Sequence, residues 1–129
     1  MTIQLDHFMV PSRNKAASAK LLAGLFGVPW SEAGGAGPFS PVYLNDGLTI
    51  DFDEWAEPFP IHHYCFRVEQ EEFSAILGRI KAAGIKYRST PHGPIDMQIN
   101  TQHGGSIVYW NEPDGHMWEL LTVSYARRA

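Results

Sequence analysis

The sequence predicts a single α+β domain in which a strand–helix–strands unit occurs twice. Two observations lead there: two amphipathic helical stretches stand in a chain of otherwise short, turn-bounded strand-like runs, and the segments leading into those helices resemble each other. The length of 129 residues and the hydrophobic fraction of 44% suit one domain with an ordinary core.

The elements follow in order. Ile3–Val10 reads as the opening strand. A helix is expected from Arg13 to Phe26, with Ser12 or Asn14 as N-cap, Gly27 as the stop, and Ala17, Leu21, Leu22 and Leu25 as its apolar face. Val42–Asn45 and Leu48–Asp53 then read as strands around the turn Asn45-Asp46-Gly47. Ile61–Val68 opens the second round. Its helix is expected over Gln70–Ala83, with Phe73, Ile76, Leu77 and Ile80 as the stripe, Glu71 and Glu72 in the first turn, and Gly84 as the stop. Ile85–Arg88, Ser106–Asn111 and Met117–Val123 complete the strands, with turns at Gly104-Gly105 and Pro113-Asp114-Gly115. Ser31–Pro41 and Ser89–His103, rich in Gly, Pro and polar residues, read as loops.

The repeat is visible at residue level. Leu5-Asp6-His7-Phe8-Met9-Val10 resembles Ile61-His62-His63-Tyr64-Cys65-Phe66, and each leads into a helix. Asp46-Gly47-Leu48-Thr49-Ile50-Asp51-Phe52 resembles Asp114-Gly115-His116-Met117-Trp118-Glu119-Leu120: Asp-Gly, three residues, a carboxylate, then an apolar residue. Each half therefore offers one histidine on its first strand and one carboxylate on its last.

Taken alone, His7 reads as a hydrogen-bonded core histidine and Asp51 as a solvated strand residue. Glu119, between Trp118 and Leu120, is harder to leave unpartnered, because an unpaired buried carboxylate costs several kcal/mol, on the order of the relaxed Born penalty. Two similar modules packed about a pseudo-twofold axis would bring equivalent positions to one place. Two imidazoles and two carboxylates then suit a borderline or hard divalent cation, whose charge neutralises both acids. His7, Asp51, His63 and Glu119 are accordingly the candidate metal ligands.

Composition excludes several other classes. Ten Lys+Arg against 14 Asp+Glu give a net charge of -4, so no basic field favours nucleic acid. No apolar run approaches the ~20 residues of a membrane span, the N-terminus lacks a signal peptide's pattern, and the lone Cys65 has no internal disulfide partner. A cytoplasmic location is expected.

On Leu5-Asp6-His7, His63-Tyr64-Cys65-Phe66-Arg67-Val68 and Pro113-Asp114-Gly115-His116-Met117-Trp118-Glu119, the chain resembles the vicinal oxygen chelate superfamily, which contains glyoxalase I, extradiol dioxygenases, fosfomycin-resistance enzymes and bleomycin-binding proteins. The resemblance implies two βαβββ modules whose strands form an open, cupped mixed sheet, with module 1 at about 1–56 and module 2 at about 60–125. It implies that the positions of His7, His63 and Glu119 are ligands, with Asp51 where glyoxalase I places a fourth, bound directly or through water. Val10-Pro11-Ser12-Arg13-Asn14-Lys15, Gly37-Pro38-Phe39, the Asn45–Phe52 run and Ile99-Asn100-Thr101-Gln102-His103-Gly104-Gly105 are similar to the branch of the iron-dependent, ring-opening dioxygenase of chartreusin biosynthesis. Iron(II) is then the first choice of metal, one per site, with Mn, Ni, Co or Zn as alternatives.

The expected activity is that of a dioxygenase-like oxidoreductase on a small vicinal-oxygen substrate, aromatic or dicarbonyl. The rivals are a glyoxalase-like lyase or isomerase, a metal-free protein sequestering an aromatic drug, and a thiol transferase acting on fosfomycin, for which no phosphonate-binding cationic cluster is identifiable. No nucleic-acid or membrane partner is expected, and the resemblance implies a homodimer. Strand alternation puts Cys65 and Arg67 on the face of His63. Arg67 could hold an anionic substrate group, though a salt bridge with Asp53 or another carboxylate is the plainer reading. Cys65 reads as packing, His103 and His92 each as a candidate general base or donor behind a metal ligand, or as a solvated loop residue, and His62 and His116 as structural. Tyr109, Trp55 and Met97 are candidates to contact a flat substrate.

Overall fold

The computed structural model describes residues 2–35 and 37–127. The chain divides into two compact units, with the boundary between Pro60 and Ile61. Both units have the same build.

In the first unit, β1 (His7–Ser12) leads into α1 (Lys15–Phe26), followed by β2 (Ser40–Tyr43) and β3 (Thr49–Glu54). The sheet order is β1-β3-β2, with β1 parallel and β2 antiparallel to the central β3. Pro11 and Pro41, which lack an N–H, both lie on flanking strands, where a missing donor can face away from the ladder. Asn14 caps α1 by accepting from the Ala17 amide at 3.1 Å, and Gly27 stops it in the left-handed conformation at φ 70°, which glycine adopts without strain. The buried face of α1 is Ala19, Leu22, Ala23 and Leu25, and Ala17 is exposed, so the expected stripe is rotated. Ala19 and Ala23, one turn apart, allow a closer approach to the sheet than a leucine stripe would. With Val10, Val42, Ile50 and Phe52 they form the core of this unit.

After β3 the chain is held by Arg13. Its Nη1 points at the carbonyls of Trp55, Ala56 and Glu57, and its guanidinium lies 5.0 Å from the centre of the Phe59 ring.

The second unit repeats the order with β4 (His63–Arg67), α2 (Gln70–Ala82), β5 (Ile107–Asn111) and β6 (Met117–Leu121), in a sheet ordered β4-β6-β5. Phe73, Ile76, Leu77 and Ile80 are the buried face of α2, as their spacing predicts. Trp118 is the large core residue of β6; Tyr64 and Phe66 stack against it at 5.0 and 5.8 Å.

Among the described residues three strands form in each unit, in an open mixed sheet. The expected strand Ile85–Arg88 is reduced to one bridge, Arg88↔Tyr109, and Trp30↔Val42 stands in the same relation to β2. The opening strand begins at His7, and Ile3 and Leu5 before it are exposed. Among the described residues no helix is long and apolar enough to cross a membrane.

Candidate metal half-sites

The registers of the two sheets coincide. In the first unit His7 lies opposite Thr49, and Asp51 opposite Met9 on one side and Pro41 on the other. In the second His63 lies opposite Met117, and Glu119 opposite Cys65 and Tyr109. Both central strands therefore carry a carboxylate two residues beyond the partner of the histidine. A separation of two returns the side chain to the same face, so each sheet presents one imidazole and one acid together.

The second half-site is the more enclosed. Glu119 is fully buried. Its Oε1 stands 2.9 Å from His63 Nε2, and its Oε2 accepts a hydrogen bond from the Tyr125 hydroxyl at 2.6 Å. The other imidazole nitrogen, Nδ1, faces the Met117 thioether at 3.1 Å. A cleft of about 280 Å³ opens here, lined by His63, Cys65, Arg67, Glu119 and Tyr125 among others. Desolvation, with Glu119 beside it, pushes the Cys65 thiol up to about 12, which disfavours the thiolate. Burial and the bond to Glu119 also raise Tyr125, keeping its proton on the phenol.

The first half-site is more open. A cleft of about 310 Å³ is lined by Asp6, His7, Phe39, Tyr43, Thr49 and Asp51, together with glycines of the 34–37 loop. Asp6 Oδ2 lies 2.7 Å from His7 Nδ1 and, as the largest influence, raises that imidazole above its ordinary value. Asp51 is raised by burial, with His7 opposing the shift.

In both units Nδ1 is engaged, by a carboxylate in one and a thioether in the other, while His63 Nε2 faces Glu119 Oε1. His63 Nε2 and Glu119 Oε1 stand at hydrogen-bond distance, 2.9 Å, close enough for both to reach one cation. The donor set of each unit thus fits half of a divalent-metal site. Among the described residues no group of three or more His, Cys, Asp or Glu side chains is gathered as a metal site.

The remaining candidates fall as follows. Tyr109 is buried, with its ring 6.4 Å from His63, and burial raises its phenol. Arg67 lines the second cleft, while Asp53, its expected salt-bridge partner, instead accepts the Trp55 indole N–H at 2.8 Å. Trp55 makes an edge contact with Phe59, and Met97 sits in a left-handed turn with its sulfur facing the Tyr87 amide; neither lines the two clefts. The His103 ring stands 5.3 Å from that of Tyr125. His116 is buried and accepts the His62 amide at 2.9 Å, and His62 Nδ1 meets the Tyr64 hydroxyl, both structural as read.

Sequence reasoning missed Tyr125, Met117 and the role of Asp6. Asp6 was legible as a carboxylate adjoining a ligand-type histidine. Tyr125 lies beyond the last strand, where no periodicity signals it.

No family model and no curated protein sequence matches the chain. Solved structures do. Oxidase ChaP-H2 is 36% identical, with 98% of each chain covered and a TM-score of 0.89; oxidase ChaP-H1 is 35% identical, with 98% of this chain and 100% of the other covered and a TM-score of 0.88. A glyoxalase/dioxygenase from Nostoc punctiforme, 19% identical over 94% of this chain and 91% of that one, shares the fold at a TM-score of 0.68. With this likeness running over nearly its whole length, the chain belongs to the vicinal oxygen chelate superfamily.

Proposed function

We propose that the chain is a metal-dependent, dioxygenase-like oxidoreductase that binds a small substrate through two adjacent oxygens, on an aromatic ring or a dicarbonyl. The observation supporting this is the shared register: each sheet presents a histidine and a carboxylate at equivalent positions, in a chain similar to two proteins named oxidases. His7, His63 and Glu119 would hold the cation, with Asp51 as a fourth ligand or acting through water. A divalent metal bound there supplies Lewis acidity to the substrate oxygens and, if it is iron(II), electrons for dioxygen.

The chain's own groups do the rest. Glu119, fully buried, gives its charge where water does not screen it. The buried Tyr109 ring backs the His63 imidazole at 6.4 Å, and the Tyr125 ring lines the cleft where a flat substrate would lie. Arg67, four residues along β4 on the same face, binds an anionic substituent. A homodimer belongs to this reading, the two half-sites being drawn from one chain or from two copies.

Oxygen uptake by the iron(II)-loaded protein, measured over a panel of catechols and hydroxyquinones, tests the reading. Consumption that depends on Glu119 supports it. An iron-loaded protein that consumes no oxygen, while turning over a dicarbonyl adduct with Ni, Co or Zn, would establish the glyoxalase-like alternative. A protein purified without chelator that holds no metal, yet binds aromatic drugs, would be a sequestering protein.

A further inference from the structure

The Glu119 carboxylate has two oxygens with different surroundings. Oε1 faces His63 Nε2, and Oε2 receives the Tyr125 hydroxyl at 2.6 Å. Because Glu119 is fully buried, bulk water does not compete for either oxygen. The two units differ here. Among the described residues Asp51 receives no such donor, although its strand register is the same as that of Glu119.

The tyrosine is itself held in place. A Cβ on Gly105 would meet Thr122 Oγ1 at 2.4 Å and Val123 Cγ2 at 2.8 Å, so the 103–106 loop lies directly on the segment carrying Tyr125. The Ser106 amide donates to Thr122 Oγ1 at 2.9 Å, and the Thr122 amide donates to the Ser106 carbonyl at 3.1 Å. The His103 ring stands against that of Tyr125. Beyond β6 the chain is thus seated by His103, Gly105 and Ser106 of one loop, and Ser124, Tyr125 and Ala126 become part of the cleft lining.

We infer that Tyr125 is a positioning residue for Glu119: its hydroxyl occupies Oε2 and presents the acid to a metal through Oε1 alone. This rests on the reading of Glu119 as a ligand. A carboxylate held to one oxygen occupies one coordination position instead of two, which keeps a neighbouring position open for a substrate oxygen. Removal of the hydroxyl loosens Oε2, with Tyr109 and Cys65 still beside the acid, so the carboxylate can turn toward chelation by both oxygens. His103 then acts at one remove, by seating the tyrosine.

Cobalt(II) titration of the chelator-treated full chain is the test, followed by visible absorption and calorimetry. Tyr125→Phe is expected to weaken cobalt binding by about 10- to 100-fold, the usual effect of losing a group that orients a metal ligand, and to change the d–d bands as the coordination number changes. Its thermal midpoint should fall in the metal-free chain, because a fully buried carboxylate loses a donor. Gly105→Ala, which displaces Thr122 and Val123, should shift the same bands with Tyr125 intact, and it carries the test if the phenylalanine variant misfolds. Wild-type affinity and spectrum in both variants, with cobalt still bound through Glu119, would overturn the positioning role and leave the metal site standing. A wild-type chain that binds no cobalt would overturn both.

Discussion

The first and second units share a strand order and a register, yet they surround their histidine–carboxylate pairs differently. His7 has its Nδ1 on the adjoining Asp6, and Asp51 is a shorter acid that is only part-buried. His63 has its Nδ1 on a thioether from the neighbouring strand, and Glu119 is fully buried beneath a tyrosine. The strand position beside the acid is Pro41 in one unit and Tyr109 in the other. A repeated backbone thus fixes where an imidazole and an acid stand, and the side chains around them decide how firmly each is held. By that measure the second pair is the anchor and the first the adjustable partner.

The largest effect should separate the two acids. Glu119→Gln is expected to lower divalent-metal affinity by about 100-fold or more, since it removes a ligand charge from a dry site, while Asp51→Asn should lose about tenfold or less. Calorimetry with iron(II) or cobalt(II) checks this, and the reverse order would break the comparison. Next come the groups behind the imidazoles. Asp6→Asn leaves His7 in place but takes away the charge on its Nδ1 and should weaken metal binding by about tenfold, with little change in thermal midpoint. No loss would show that an exposed neighbouring carboxylate gives His7 no useful orientation.

A smaller effect concerns the turns. Leu44 and Glu112 close equivalent turns, their amides donating to the carbonyls of Leu48 and His116 at 3.0 Å each. Burial pushes Glu112 up to about 7 from an ordinary 4.5, against the pull of the His116 amide it accepts. The folded state therefore favours the protonated acid. Its ionisation costs stability progressively as pH rises from about 4.5 to about 7, and the full cost persists above that range. Glu112→Gln keeps the acceptor and should raise unfolding free energy by about 1–3 kcal/mol at pH 8, with almost no gain at pH 4.5. Denaturant titrations at the two pH values decide it, and an equal gain at both would refute burial as the cause.

Much of this was legible in the chain. Both helices, the Asn14 and Gly27 ends and the stripe of α2 follow from short-range rules, and the duplicated Asp-Gly-x-x-x-carboxylate pattern pointed to Asp51 and Glu119 before any register was known. What was hidden depends on close packing. The face of α1 turned on two alanines, which carry little weight in a hydrophobic pattern. The shortening of Ile85–Arg88 to a single bridge is a matter of neighbours that a local reading does not see. Asp53 accepts the Trp55 indole two residues away and Arg67 lines a cleft, where a salt bridge of Arg67 with Asp53 or another carboxylate was the plainer reading. Tyr125 and Met117 act only through their spatial partners, so their role emerges with the fold.

Arg13 has one more consequence. By gathering three successive carbonyls and stacking on Phe59, it makes the stretch after β3 a continuation of the first unit, with none of the slack of a free leash. A protease that needs an extended, pliable substrate finds its opening there only when this single guanidinium lets go, so resistance to nicking at residues 55–57 reports on one side chain.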